Sequence, residues 1–119
     1  MKIYMDNCCY NRLFDDRSNI KNYLEREAVL LVLELIHALY QYCVLESVFA
    51  NSEVIRRAKE ISKFAGTTSF DSLHLALSEK NAEVFLTTDM KLVKASKRID
   101  LSVKVMNPIE FLMEVTESE

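Results

Sequence analysis

Glu83-Val84-Phe85-Leu86-Thr87-Thr88-Asp89-Met90-Lys91-Leu92 decides the fold. Its first five residues read as a strand, and Asp89 to Arg98 reads as a helix that the strand feeds almost directly. Downstream, Ser102 to Met106 is a further strand, and Pro108, at a position suited to N1, starts a last helix through Phe111 and Leu112. Upstream, Thr67-Thr68-Ser69 caps a helix that runs through Leu73, Leu75, Ala76 and Leu77 to about Lys80. Strands that alternate with helices pair in parallel, so the expected fold is α/β, a parallel sheet flanked by helices in three layers.

The N-terminal half adds the remaining elements. Lys2-Ile3-Tyr4-Met5 is a short apolar stretch ending at Asp6, consistent with a buried parallel strand. Residues 7–14 read as a loop running into a short helical turn, and Asp15-Asp16-Arg17-Ser18-Asn19 as a polar connection. A long helix follows. Leu24, Ala28, Leu31, Leu35 and Ala38 recur at spacings of three and four and are expected to face the core, with Leu30, Val32, Leu33 and Ile36 widening the stripe. Residues 39–50 are open between strand and helix. Asn51 or Ser52 then caps a helix expected to turn Val54, Ile55, Ala58, Ile61 and Phe64 inward, and Gly66 ends it at a C′ position.

Composition narrows the function. The chain has 119 residues, 50% of them hydrophobic and 28% charged, which suits one folded domain, read as 1–115 with an acidic tail at 116–119. A single glycine, Gly66, and a single proline, Pro108, exclude a glycine-rich phosphate loop. The formal net charge of −3 excludes a global basic field, so any contact with nucleic acid has to be local. Three cysteines, two of them adjacent at Cys8-Cys9, argue against a disulfide framework and for a reducing cytoplasm. No apolar run approaches the roughly 18 residues of a membrane span, and no signal segment is read at the start.

In a parallel sheet, functional groups gather beyond the carboxyl ends of the strands. Asp6 follows the first strand, Asp89 follows the strand at 84–88, and Asp71 lies in the first turn of the helix before that strand. Each has a local role open to it: a turn at Asp6, a capping-box variant at Thr68 and Asp71, an N-cap at Asp89. Converging, three carboxylates would repel one another unless a cation relieved them, and hard oxygen ligands suit magnesium or manganese. Such an ion supports hydrolysis of a phosphodiester. His74, between Leu73 and Leu75, reads as a packed histidine, and Cys8 and Cys9 lack the spaced partners of a zinc site. Lys91, Lys94, Lys97 and Arg98 follow Asp89 at helical spacing and could track an RNA backbone, although no aromatic residues interleave them.

Met1-Lys2-Ile3-Tyr4-Met5-Asp6-Asn7, Phe70-Asp71-Ser72-Leu73-His74-Leu75-Ala76, Phe85-Leu86-Thr87-Thr88-Asp89-Met90-Lys91-Leu92 and Val105-Met106-Asn107-Pro108-Ile109-Glu110-Phe111-Leu112 resemble, in order, the blocks of PIN-domain proteins, the nuclease fold of VapC-type toxins. The resemblance implies a magnesium- or manganese-dependent ribonuclease with Asp6, Asp71 and Asp89 as metal ligands and Thr87 or Thr88 as a supporting hydroxyl. It also implies an RNA substrate and an antitoxin partner, and the short middle leaves helix surface for a homodimer. The family supplies a further glutamate between the first two motif aspartates. Glu46 is the candidate for it under one alignment, and the glutamate is absent under the other, which would make the chain a non-cleaving binding module.

Overall fold

The computed structural model describes residues 2–13, 19–39 and 50–117. At its centre is β2 (Val84–Leu86), paired in parallel on one side with β1 (Ile3–Met5) and on the other with β3 (Lys104–Met106). The register sets three ranks across the sheet: Ile3, Val84 and Lys104; Tyr4, Phe85 and Val105; Met5, Leu86 and Met106. Successive strand residues point to opposite faces, so the middle rank serves one layer and the outer ranks the other.

The middle rank meets α3 (Ser52–Ala65), α4 (Ser69–Asn81) and α5 (Met90–Ser96). Phe85 is fully buried there among Val54, Ala58, Ile61, Leu75 and Leu92. On the opposite face, Val84, Leu86 and Met106 pack with Cys9 of α1 (Asn7–Asn11), Val29 and Val32 of α2 (Ile20–Leu39), and Phe111 of α6 (Pro108–Glu117). The expected three-layer α/β fold is therefore present, with a parallel sheet between two helical layers. Helix α6 runs on to Glu117 and so includes the first residues of the acidic tail. Among the described residues, no helix is long and apolar enough to cross a membrane.

Local chemistry explains the helix boundaries. Asn51 caps α3 by accepting a 2.9 Å bond from Val54 N–H. Gly66 ends the helix at φ 73°, a left-handed conformation that glycine adopts without a Cβ clash, and its N–H closes on Ser62 O. Only Thr67 and Thr68 lie between Gly66 and α4, whose first turn is capped by Thr68 Oγ1 accepting from Asp71 N–H at 3.1 Å. Asn107 does the same for α6, accepting from Ile109 N–H at 2.8 Å.

Two helices present a different face from the one their leucines and aromatics suggest. In α2 the buried stripe is Glu25, Ala28, Val29 and Val32, while Leu24 and Leu31 are each 50% exposed. The stripe is rotated because Glu25 is drawn inside by polar partners described below, and the valines follow it at helical spacing. In α3 the inward face is Val54, Ala58, Ile61 and Ala65, and the larger Ile55 and Phe64 lie outside. Alanines at 58 and 65 let α4 approach closely, which a face built on Phe64 would prevent. Residues 40–49, most of the stretch left open between strand and helix, lie outside the described residues.

Candidate active site at the carboxyl edge of the sheet

The residues that leave the three strands stand in one row. Asp6 N–H donates to Leu86 O at 2.9 Å and Thr87 N–H to Met106 O at 3.0 Å, so Asp6, Thr87 and Asn107 extend the ladder past its carboxyl ends. Thr87 is fully buried, and its hydroxyl donates to Asp6 Oδ2 at 3.0 Å while accepting from Asp89 N–H at 3.1 Å. One hydroxyl thus fixes the Asp6 carboxylate and the turn that carries Asp89. Beside it, Thr88 is buried, and its Oγ1 has no hydrogen-bond partner among the described residues.

The direction of α4 turns its first turn, which contains Asp71, toward the same end of the sheet. Tyr4 OH is hydrogen-bonded to His74 Nδ1, which pins α4 to β1. Asp71 lies three residues before His74, about 4.5 Å toward the helix N-terminus. Asp6 lies two residues beyond Tyr4, about 6.6 Å toward the strand's carboxyl end. Because α4 returns the chain to the start of β2, these two displacements run the same way. Tyr4 also reports the proximity of Asp6: burial first and the Asp6 charge second push its phenol up. Asp89 uses Oδ1 to cap α5, accepting from Lys91 N–H at 3.0 Å and Leu92 N–H at 3.3 Å. The capping role open to Asp89 is therefore realised, as is that of Thr68 toward Asp71. Among the described residues, no three His, Cys, Asp or Glu side chains are gathered closely enough to ligate one ion.

The row contains a carboxylate that the motifs do not indicate. Glu25 of α2 is fully buried, with Oε1 accepting from Arg12 Nε at 2.9 Å and Oε2 from Asn107 Nδ2 at 2.5 Å. It ties the segment after α1 to the end of β3, and its charge, like that of Asp6, reaches the sulfur of Cys9. The available signal is its place in sequence: Glu25 begins the spacing 25, 28, 29, 32 that α2 buries, and Asn107 stands just before Pro108 where a cap belongs. Glu46 falls outside the described residues. Lys91 and Lys94 are exposed on α5, and His74 is packed and hydrogen-bonded as expected.

Cys8 lies 3.5 Å from Asp6 Oδ2 and 3.3 Å from Thr87 Oγ1, and it accepts from Thr88 N–H at 3.2 Å. Its thiol is pulled down to about 6, first by the hydrogen bond with Cys9 and then, against burial, by those of Thr87 and Thr88. Cys9 is pushed up by the same pairing with Cys8 and by burial, and its sulfur lies 3.4 Å from Leu86 O. The thiolate is the reactive form, so iodoacetamide at neutral pH is expected to alkylate Cys8 and spare Cys9 until the protein is denatured. Fragment-ion mapping of the labelled peptide checks this. The labelling midpoint is expected near pH 6. No family model, characterised protein or solved structure matches the chain.

Proposed function

We propose that this chain is a ribonuclease of the PIN class, a hydrolase of phosphodiester bonds that uses magnesium or manganese and acts in the cytoplasm as the toxin of a toxin–antitoxin pair. The observation behind the reading is the Asp6 carboxylate, held by Thr87 at the carboxyl edge of a parallel sheet, with the same hydroxyl fixing the turn that carries Asp89. The donor chemistry fits a hard cation. Magnesium keeps several waters and binds through one or two carboxylates together with substrate phosphate oxygens, so Asp6 with Asp71 or Asp89 would be its ligands, and the orphaned Thr88 hydroxyl lies in the turn that leads to Asp89. When bound, the ion supplies Lewis acidity, offsetting charge on the phosphate and acidifying water. The protein's own part is to hold Asp6 in one orientation through Thr87 and to offer Lys91 and Lys94 to the RNA backbone. The exposed Ile20, Leu24, Leu31 and Leu35 of α2 form the face where an antitoxin or a second copy of the chain would seat.

A second reading, a non-cleaving RNA- or protein-binding module of the same class, is favoured by one observation: the described residues contain no group of three ligands around one point. Two measurements separate the readings. Calorimetric titration with manganese and magnesium chloride gives a millimolar or tighter site for the nuclease and none for the module. Incubation with unstructured RNA gives manganese-dependent cleavage for the nuclease alone, and cleavage that survived Asp71→Asn would sink the assignment.

A further inference from the structure

Phe64 and Phe70 are each 61% exposed, an unusual position for two large aromatic rings in so small a domain. They bracket the turn between α3 and α4, and Phe70 directly precedes Asp71. The Phe70 ring is not loose. It stands against His74 in an edge contact, centroids 4.4 Å apart at 69°, and His74 is held in turn by Tyr4. Tyr4 stacks on the buried Phe85 at 5.3 Å. A chain of rings therefore runs from the centre of the sheet to the surface and fixes the outermost ring next to the Asp6 and Asp71 edge.

One cation stands against Phe64, and a second reaches the turn between the two rings. Lys63 Nζ lies 5.6 Å from the Phe64 ring centroid, and Arg98 reaches across to donate to Ala65 O at 3.0 Å, on the turn between the two rings. Lys91 and Lys94 are exposed on α5, which starts at the same edge from Asp89. Exposed aromatic rings set among lysine and arginine are what a single-stranded nucleic acid needs, a π-face for its bases and positive charge for its phosphates.

We propose that Phe70 is a base-stacking platform for single-stranded RNA, seating a base beside the edge that carries Asp6, with Phe64 as a further platform on the same helical hairpin. This rests on the ribonuclease reading for its choice of RNA. It replaces base-edge reading with sequence-tolerant stacking, so the site takes unpaired RNA and excludes duplex, whose bases offer no free face.

The test is binding in EDTA, where cleavage does not intervene, using a fluorescein-labelled 12-nucleotide oligouridylate and an abasic ribose-phosphate chain of the same length. Phe70→Ala is expected to weaken binding of the oligouridylate about tenfold, and Phe70→Tyr to leave it within about twofold. Neither is expected to alter binding of the abasic chain. The protein contains no tryptophan, so Phe70→Trp adds a sole indole, whose emission should be quenched by the oligouridylate and not by the abasic chain. Equal affinity of Phe70→Ala and wild type, or quenching by both chains alike, overturns the stacking role, and manganese-dependent cleavage by both proteins would leave the ribonuclease reading standing. Loss of binding in Phe70→Ala without any cleavage by the wild type would instead uphold the platform and remove the nuclease. A wild type that binds no RNA overturns both, and leaves the exposed rings to a protein partner.

Discussion

Asp6→Asn is expected to reduce manganese-dependent RNA cleavage by about a thousandfold while the protein stays folded. Asparagine is nearly the same shape as aspartate, and its Oδ1 can still accept the hydrogen bond that Thr87 donates at 3.0 Å. What disappears is the negative charge that, on the proposed function, would hold the cation. Metal assistance contributes several kcal/mol to phosphoryl chemistry, and about 4 kcal/mol corresponds to about three powers of ten in rate. Thr87→Val is expected to cost less, about 10- to 100-fold, because it removes the group that orients the ligand and leaves the ligand itself. Single-turnover cleavage with a fluorescent RNA, beside thermal melts of each variant, gives both numbers. A residual rate in Asp6→Asn above about a tenth of wild type would show that the carboxylate is not where the reaction occurs.

The second large effect is on stability. Glu25 has no exposure to water and shares its two oxygens between Arg12 and Asn107, while the Arg12 side chain is 22% exposed. Removing one partner of a buried pair leaves a charge without compensation and costs about 3–5 kcal/mol. The partial exposure of Arg12 puts Arg12→Leu near the lower end of that range, a large share of the roughly 5–15 kcal/mol that holds such a domain together. Its melting temperature should fall by on the order of 10 °C. Adding Glu25→Gln should restore most of the loss, since glutamine buries no charge and can still accept from Asn107 Nδ2. Urea melts of the wild type, both single variants and the double variant form the required cycle. Independent, additive effects of the two substitutions would refute the pairing as the source of the loss.

The sheet and the order of its elements were legible because each strand ends in a residue of recognisable type: Asp6, Thr87 and Asn107, with Pro108 behind the last. The capping residues Asn51, Thr68 and Asp89 were legible for the same reason, since a cap acts within three residues and leaves a local trace. Helix faces were harder. Hydropathy favours leucine and phenylalanine for burial, yet α2 turns Leu24 and Leu31 outward and α3 does the same with Phe64. Those choices depend on distant partners, Arg12 and Asn107 for α2 and the close approach of α4 for α3. Glu25 escaped notice on the same ground: nothing local separates a buried glutamate in a charged helix turn from a solvated one. Its two partners are 13 and 82 residues away. Phe70 beside Asp71 was visible as a residue, but its exposure was not, because a phenylalanine at the start of an amphipathic helix is more often core.

Helices α3 and α4 are neighbours in the chain, joined through Gly66, Thr67 and Thr68, and their packing needs little loop entropy to close. The bond between Thr87 and Asp6 joins positions 81 residues apart and forms only when β1 has docked on β2. Local contacts assemble early and long-range pairings late, so the helical hairpin with its two outer rings is expected to form first and the acidic edge last. In hydrogen exchange, the amides of Asp6 and Thr87 should therefore open before those of Ile61 and Leu75. Warming would loosen the acidic edge while the surface built around Phe64 and Phe70 was still standing.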